Sequence, residues 1–354
     1  MAQNTRQGES LNEVSLKEYL KSNNLILDTN SALNVSQFSN GFSNLTYLLE
    51  IENKEYVLRR PPVGAIKRGH DMGREFKVLS GLNRGFSKAP KAFAYTENNE
   101  IIGASFYIME KVDGIILSFE EAKKRQIPAA EFPVIANSWL DTFVELHQLD
   151  YKSLGLEDLG KPEGYVNRQV TNWSKQYLKA ATEEVPVAHK VMNWLTDNQP
   201  IQYDYSLIHN DYKYDNIVFK DDNWTEVVSV LDWEMCTLGD PLMDLGTSLA
   251  YWSMRSDNEL ISKSLPSPTI FGGNPSRSEI VEMYVQKSGR SINNLTFYYA
   301  FGLFKIAVIA QQIYYRYAKG LTTDKRFATL NQASQLVCTM AWQAIQKNRI
   351  EKLF

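Results

Sequence analysis

Leu207-Ile208-His209-Asn210-Asp211-Tyr212-Lys213-Tyr214-Asp215-Asn216 places a His, two Asp, a Lys and two Asn in ten consecutive positions. Apolar runs at 206–208 and 217–219 flank it and read as short buried strands. A polar turn held between two such strands presents its side chains at one point in space. A third apolar run, 227–231, ends at Asp232, which can bring another carboxylate to the same point.

Phosphoryl transfer needs parts of this kind. It needs a carboxylate within hydrogen-bond reach of the acceptor hydroxyl, oxygen ligands for Mg²⁺, and cations that balance developing charge. Asp211 can be the base. Asn216 can turn back to the metal as a neutral oxygen ligand, and Asp232 can supply the anionic one. Lys213 can point at the transferred phosphate, while His209 holds the turn by hydrogen bonds. Asp and Asn are also ordinary turn formers, so the ten-residue turn alone leaves a purely structural reading open. A metal-dependent hydrolase using His209, Asp211 and Asp232 as ligands is a further reading. Four histidines in the whole chain (His70, His147, His189, His209) make a His-rich metal site a poor fit.

The elements that must position these groups divide in composition. Strand-like runs at 45–51 and 55–60, joined by Glu52-Asn53-Lys54, form a β-hairpin signature, and Pro61-Pro62 ends the second strand. A helix is predicted over 71–82, with strands at 92–95 and 105–112. Past Asp113-Gly114 the pattern turns helical. Phe132, Ile135, Trp139, Phe143 and Leu146 form a stripe on one long helix, and helices are predicted over 165–182, 187–197, 241–255, 279–288, 294–318 and 324–349. A Pro/Gly/Ser-rich loop covers 264–278. Two domains are expected, a nucleotide-binding lobe at 1–112 and a helical lobe with the catalytic loop and acceptor site at 113–354.

The bulk numbers exclude several classes. With 44% apolar and 22% charged residues the 354-residue chain has a globular composition. Its net charge of −3 implies no general affinity for nucleic acid. Cys236 and Cys338 make neither a disulfide framework nor a zinc spacing. No stretch reaches the ~18 apolar residues of a membrane span, and the longest apolar patch, 298–310, is broken by Gly302 and Lys305. A cytoplasmic protein without a membrane segment is expected.

His209-x-Asp211-x-x-x-x-Asn216, then Leu231-Asp232-Trp233-Glu234, then Gly239-Asp240-Pro241-x-x-Asp244-Leu245 resembles the aminoglycoside phosphotransferase-like branch of the protein-kinase fold. More narrowly, it resembles the phosphotransferases related to the kinase-like domain of certain acyl-CoA dehydrogenase family members, over residues 30–340. The resemblance implies an α+β, bilobal fold with a small antiparallel β-sheet N-lobe and a mainly helical C-lobe. It also implies ATP and Mg²⁺ as cofactors and a small-molecule hydroxyl as acceptor.

In that frame Arg59 replaces the usual strand lysine at the α/β-phosphates. Val57, on the same strand face, lies over the adenine, and Glu75 on the next helix pairs with Arg59. The loop at 39–46 covers the phosphates, with Gly41, Ser43 and Asn44 as donors. Glu110 and Val112 belong to a hinge that meets the adenine edge. Asn210 stands where the family has Gly, and Asn tolerates left-handed backbone. Asp215 can cap the turn, Glu234 can either support the metal or be a surface acid, Asp240 reads as a helix N-cap before Pro241, and Asp244 can brace the turn.

Residues 241–354 hold 13 Lys+Arg and 7 Asp+Glu, a net +6, against −9 for the rest. Lys287, Arg290, Lys305, Arg316, Lys319, Lys325 and Arg326 recur there, which opposes a polycationic acceptor. The resemblance suggests a hydroxyacyl-CoA or another anionic hydroxy compound. An aminoglycoside or choline-type kinase and a nucleotide-binding pseudokinase are the alternatives. Phe297, Tyr298, Tyr299, Phe301, Tyr314, Tyr315 and Tyr317 can line an acyl channel or, more commonly for such residues, a helix core.

Overall fold

A computed structural model of the chain describes every residue except 1, 7, 39–43, 63–70, 202–203, 222, 265 and 323. The chain is α+β and forms two compact units. The first contains residues 1–113, 152–159 and 228–234, and the second contains 114–151, 160–227 and 235–354.

The first unit is built on an antiparallel sheet. Its elements are β1 (Ala2–Gln3), α1 (Glu13–Ser22), β2 (Asn34–Phe38), β3 (Leu45–Ile51), β4 (Lys54–Arg60), α2 (Met72–Leu82), β5 (Ala92–Thr96), α3 (Asn99–Ile102) and β6 (Phe106–Glu110). The strand order is β1-β2-β3-β4-β6-β5. Alternation in β3 sends Tyr47, Leu49 and Ile51 inward, where they join Leu16 and Leu20 of α1 with Leu58, Phe106 and Ile108. The β3–β4 hairpin turns on Glu52 and Asn53, with φ of 51° and 58°. Two successive left-handed residues match the right-handed twist of the strands they join.

Two later segments belong to this unit because specific bonds hold them there. The Arg74 guanidinium donates to the Leu159 carbonyl at 2.7 Å, and the Val230 N–H to the Lys88 carbonyl at 2.8 Å. A Cβ on Gly81 of α2 would lie 2.6 Å from Leu156, so this helix needs glycine to accept that side chain.

The second unit is largely helical. It carries β7 (Ile115–Ile116), α4 (Phe119–Arg125), α5 (Phe132–Gln148), α6 (Tyr165–Ala180), α7 (Pro186–Asp197), β8 (Ser206–Ile208), β9 (Ile217–Lys220), most of β10 (Asn223–Val230), β11 (Thr237–Gly239), α8 (Pro241–Tyr251), α9 (Glu259–Ser264), α10 (Arg277–Ser288), α11 (Leu295–Ala318) and α12 (Leu330–Lys347). A two-stranded antiparallel pair, β8–β11, and a three-stranded sheet, β10-β9-β7, bracket the polar turn. The α8–α11 crossing is close. A Cβ on Gly246 would lie 2.2 Å from the Tyr298 carbonyl oxygen, and one on Gly302 would lie 2.2 Å from that of Gly246.

Several boundaries differ from expectation for local reasons. The 241–255 helix stops at Tyr251. The stretch before 330 is a 3-10 turn, Lys325–Thr329, capped by Asp324, so the last helix starts at Leu330. The expected 264–278 loop contains a 3-10 turn at Pro268–Ile270, and α10 begins at Arg277 through a Ser276/Glu279 capping box. Among the described residues no helix is long and apolar enough to cross a membrane.

Candidate active site

In the second unit the strand β8 delivers the chain to His209, and a 3-10 turn, Tyr214–Asn216, returns it to β9. Asn210 adopts φ 67°, a left-handed conformation that Asn accepts at little cost. The Asp211 carboxylate is the centre of the turn. Lys213 Nζ donates to both of its oxygens, at 3.0 and 2.8 Å. Asn216 Nδ2 donates to Asp211 Oδ2 at 2.9 Å and to its carbonyl at 2.8 Å. The amide nitrogen of Asn216 is thus committed to Asp211, so Oδ1 is the atom this side chain could offer to a metal. His209 is fully buried, and its Nδ1 accepts the Asp211 N–H at 3.2 Å.

Lys213 sits against Asp211 rather than standing apart from it, with its ammonium 4.6 Å from the Tyr251 ring centroid. Burial works against its charge, but Tyr251 and Asp211 outweigh that, and its pKa is raised. Tyr251 also hydrogen-bonds Asp211, and burial pushes the Tyr251 phenol pKa up. No local signal marked Tyr251, the last residue of α8, as part of this group.

The turn is held from behind by buried polar groups. Asp244 Oδ2 accepts the His209 N–H at 2.7 Å and Oδ1 accepts the Asn210 N–H at 2.8 Å. His147 Nε2 donates to Asp244 Oδ2 at 3.2 Å, while its Nδ1 accepts the Tyr284 hydroxyl at 2.8 Å. This tautomer follows from the partners, since an ionised Asp244 can only accept. Burial keeps His147 neutral by lowering its pKa. Burial also opposes the Asp244 charge, yet hydrogen bonds from His147 and the His209 amide hold its carboxyl below the ordinary value. Asp240 caps α8 through the Leu242 N–H at 2.8 Å. Among these, sequence pattern pointed to Asp244 and Asp240 but not to His147 or Tyr284.

The first unit gathers a second group. Arg59 of β4 lies 3.4 Å from Glu75 of α2, 3.2 Å from Asp232 and 3.6 Å from Glu234. Glu75 accepts from Asn44 Nδ2 at 2.8 Å and from the Tyr107 hydroxyl at 2.8 Å. Asn44 Nδ2 also reaches Glu234 Oε2 at 3.1 Å. Burial raises the Glu75 carboxyl above the usual carboxylate range despite the guanidinium beside it. Asp232 has φ 66°, left-handed backbone that few non-glycine residues adopt.

This group fits phosphates and a divalent cation. Arg59 Nε is buried with no hydrogen-bond partner, a donor left for a further acceptor. Three carboxylates around one guanidinium leave an excess of negative charge. No cluster of three or more His, Cys, Asp or Glu able to hold a metal occurs among the described residues. Mg²⁺ commonly takes one or two carboxylates and fills its octahedron with phosphate oxygens and water.

Gly41 and Ser43 lie outside the described residues. Glu110 and Val112 line a cavity of about 520 Å³ with Phe86, Ala89, Val228 and Ser229. Val57 is buried in register with Met109 of β6 and does not line it. Phe297, Tyr299 and Phe301 are buried core residues of α11, and Tyr298 lines a cavity of about 500 Å³ with Asp240, Leu242 and Arg290. Part of the +6 charge is matched locally. Lys287 pairs with Asp141 at 2.6 Å and Arg290 with Asp204 at 2.7 Å, both acids lying outside 241–354.

Comparison with known proteins agrees with this arrangement. Residues 34–265 match the model of the phosphotransferase enzyme family. Acyl-CoA dehydrogenase family member 11 of Rattus norvegicus is 36% identical over 318 residues, 88% of this chain and 40% of that protein. Family member 10 of Mus musculus is 31% identical over 331 residues, 92% of this chain and 30% of that protein. The chain therefore spans well under half the length of these relatives. A solved Ralstonia eutropha JMP134 protein, classed as an aminoglycoside phosphotransferase, superposes with a TM-score of 0.80 at 29% identity, over 96% of this chain and 99% of that one. The chain belongs to the phosphotransferase enzyme family, with the protein-kinase-like fold, and is related to the phosphotransferase-like domain of the acyl-CoA dehydrogenase family members.

Proposed function

We propose that this chain transfers the terminal phosphoryl group of ATP to a hydroxyl of a small anionic molecule, with a hydroxyacyl-CoA as the leading acceptor. The carrying observation is the Asp211 carboxylate, oriented by Lys213 and Asn216 at 2.8–3.0 Å on a turn whose backbone is pinned by Asp244. Asp211 takes the acceptor's proton as its oxygen bonds to the γ-phosphorus. The bond from that phosphorus to the bridging oxygen breaks, and ADP leaves. Lys213 supplies positive charge beside the base as the phosphoryl group moves. Arg59 and its buried Nε bind phosphate oxygens. Asp232 of the first unit would hold Mg²⁺, which when bound neutralises phosphate charge.

The acceptor assignment leans on two supports. The relatives bear the name acyl-CoA dehydrogenase, so an acyl-CoA hydroxyl is the chemistry their second activity would share. The cations of the second unit oppose a polycation, though their local ion pairs reduce that weight. A nucleotide-sensing role is the second reading. It is favoured by one observation: Asp211 and Asp232 each already contact a cation of this chain.

The deciding experiment measures ATP consumption by the purified protein with hydroxyacyl-CoAs, choline-like alcohols and aminoglycosides. Turnover confined to hydroxyacyl-CoAs and abolished by Asp211→Ala supports the proposal. Wild-type turnover in that variant removes Asp211 as base. Tight Mg·ATP binding with no acceptor raising turnover selects the sensing role.

A further inference from the structure

The second unit buries a lysine in a place where an apolar residue would pack. Lys305 lies on α11 between Phe304 and Ile306 and is 2% exposed. Its ammonium donates to the Asn210 carbonyl at 2.6 Å and lies 3.5 Å from Asn210 Oδ1. Its other close neighbour is the Trp173 ring of α6, 5.6 Å to the centroid. Among the described residues no carboxylate forms an ion pair with it. Asp211 and Asp244 favour its charge only from a distance, and Lys213 opposes it. Burying a charge without a paired counter-ion is costly, and such groups persist where they serve a site.

Asn210 is the residue immediately before Asp211, in left-handed backbone. Both polar ends of it are gripped. Its N–H goes to Asp244 of α8 and its carbonyl takes Lys305 of α11. Those two helices meet at Gly246 and Gly302, and Lys305 follows Gly302 by one turn on the same face. The Asn210 side chain completes the hold. Oδ1 accepts the Tyr165 hydroxyl at 3.1 Å, and Nδ2 donates to the Met235 carbonyl at 3.1 Å.

We propose that Lys305 is a positioning residue: with Asp244 it clamps the two peptide groups flanking the Asn210 Cα between two helices, and so fixes the direction in which Asp211 presents its carboxylate. The proposal rests on Asp211 being the catalytic base. Burial pulling the Lys305 pKa down to about 8 is consistent with an ammonium kept at a cost to stability.

The test uses the full chain with Mg·ATP, reading ADP formation alone and with a hydroxyacyl-CoA present, for wild type, Lys305→Met and Asp211→Ala. Lys305→Met is expected to lower kcat at least about tenfold, the scale set by misplacing a catalytic group. KM for ATP should stay within about twofold, and Tm should be unchanged or higher. A kcat within twofold of wild type overturns the proposal. So does a Tm that falls together with kcat, which marks a structural prop. If Lys305→Met does not fold, Lys305→Leu, which likewise removes the donor, is judged by the same readouts. Wild-type turnover in Asp211→Ala overturns the catalytic reading of the turn instead, so the two failures are distinguishable.

Discussion

Asp244 accepts the His209 N–H through Oδ2 at 2.7 Å while the same oxygen takes the His147 Nε2–H at 3.2 Å. Its other oxygen accepts the Asn210 N–H. A fully buried carboxylate with both oxygens committed to donors has no neutral substitute. In Asp244→Asn one side of the side chain becomes an NH₂ facing a backbone N–H. Each buried donor so orphaned costs about 1–3 kcal/mol. Asp244→Asn is therefore expected to lower Tm clearly and to reduce kcat by about two orders of magnitude. Thermal denaturation and phosphate-transfer kinetics check both. A variant with normal Tm and normal kcat would remove Asp244 from the machinery.

Asp232 and Arg59 form the counterpart in the first unit, 3.2 Å apart. Replacing Asp232 by Asn keeps the size of the side chain and removes the anionic ligand. Nucleotide affinity in Asp232→Asn should lose its dependence on Mg²⁺, while Arg59 still contacts Glu75 and Glu234. Calorimetric titration of ATP with and without Mg²⁺ reads this directly. An unchanged Mg²⁺ dependence would assign the metal to other ligands.

The parts legible in the sequence are those with short-range causes. Alternation marks β3, helical spacing marks α5, and the Asp240-Pro241 pair marks the start of α8. The polar turn declares itself because its acids, Lys and Asn lie within a few residues of one another. What stayed hidden depends on contacts between distant positions. Lys305 and Asn210 are 95 residues apart, His147 and Asp244 are 97, and Asn44 and Glu234 are 190. No periodicity encodes such pairings. Gly302 and Lys305 even read as blemishes in an apolar helix, although the glycine allows α8 to approach and the lysine reaches the turn. The charge count loses weight for the opposite reason. It summed Lys287 and Arg290 without Asp141 and Asp204, which lie outside 241–354 and fold against them.

The α8–α11 crossing gives a steric prediction. A Cβ on Gly246 would meet the Tyr298 carbonyl oxygen at 2.2 Å and its carbonyl carbon at 2.5 Å. Both are backbone atoms of α11, so no side chain can rotate away. In Gly246→Ala the helices must part, carrying Asp244 away from Lys305. Overpacking of this kind costs about 1–3 kcal/mol. The expected result is a lower Tm together with a fall in kcat larger than the change in KM for ATP. Retained wild-type Tm would mean the crossing can relax without cost.

Asp240 makes a pH prediction whose sign can be worked out. Burial raises its carboxyl to about 6 from an ordinary value of 3.8, against the bonds from Leu242 N–H and the Tyr298 hydroxyl. The folded chain therefore holds a proton between about pH 4 and 6 that the unfolded chain has released. This contribution to stability is greatest below pH 4 and is lost as pH rises through 6, leaving a penalty at neutral pH of about 3 kcal/mol at most. Asn caps a helix as well as Asp does. Asp240→Asn keeps the acceptor for Leu242 N–H and removes the charge. The variant should be more stable than wild type at pH 7, with the gain shrinking as pH falls toward 5. Chemical denaturation at pH 5, 6 and 7 gives the answer. A gain that is constant with pH would place its origin in packing, and a loss at pH 7 would mean that the ionised carboxylate stabilises the start of α8.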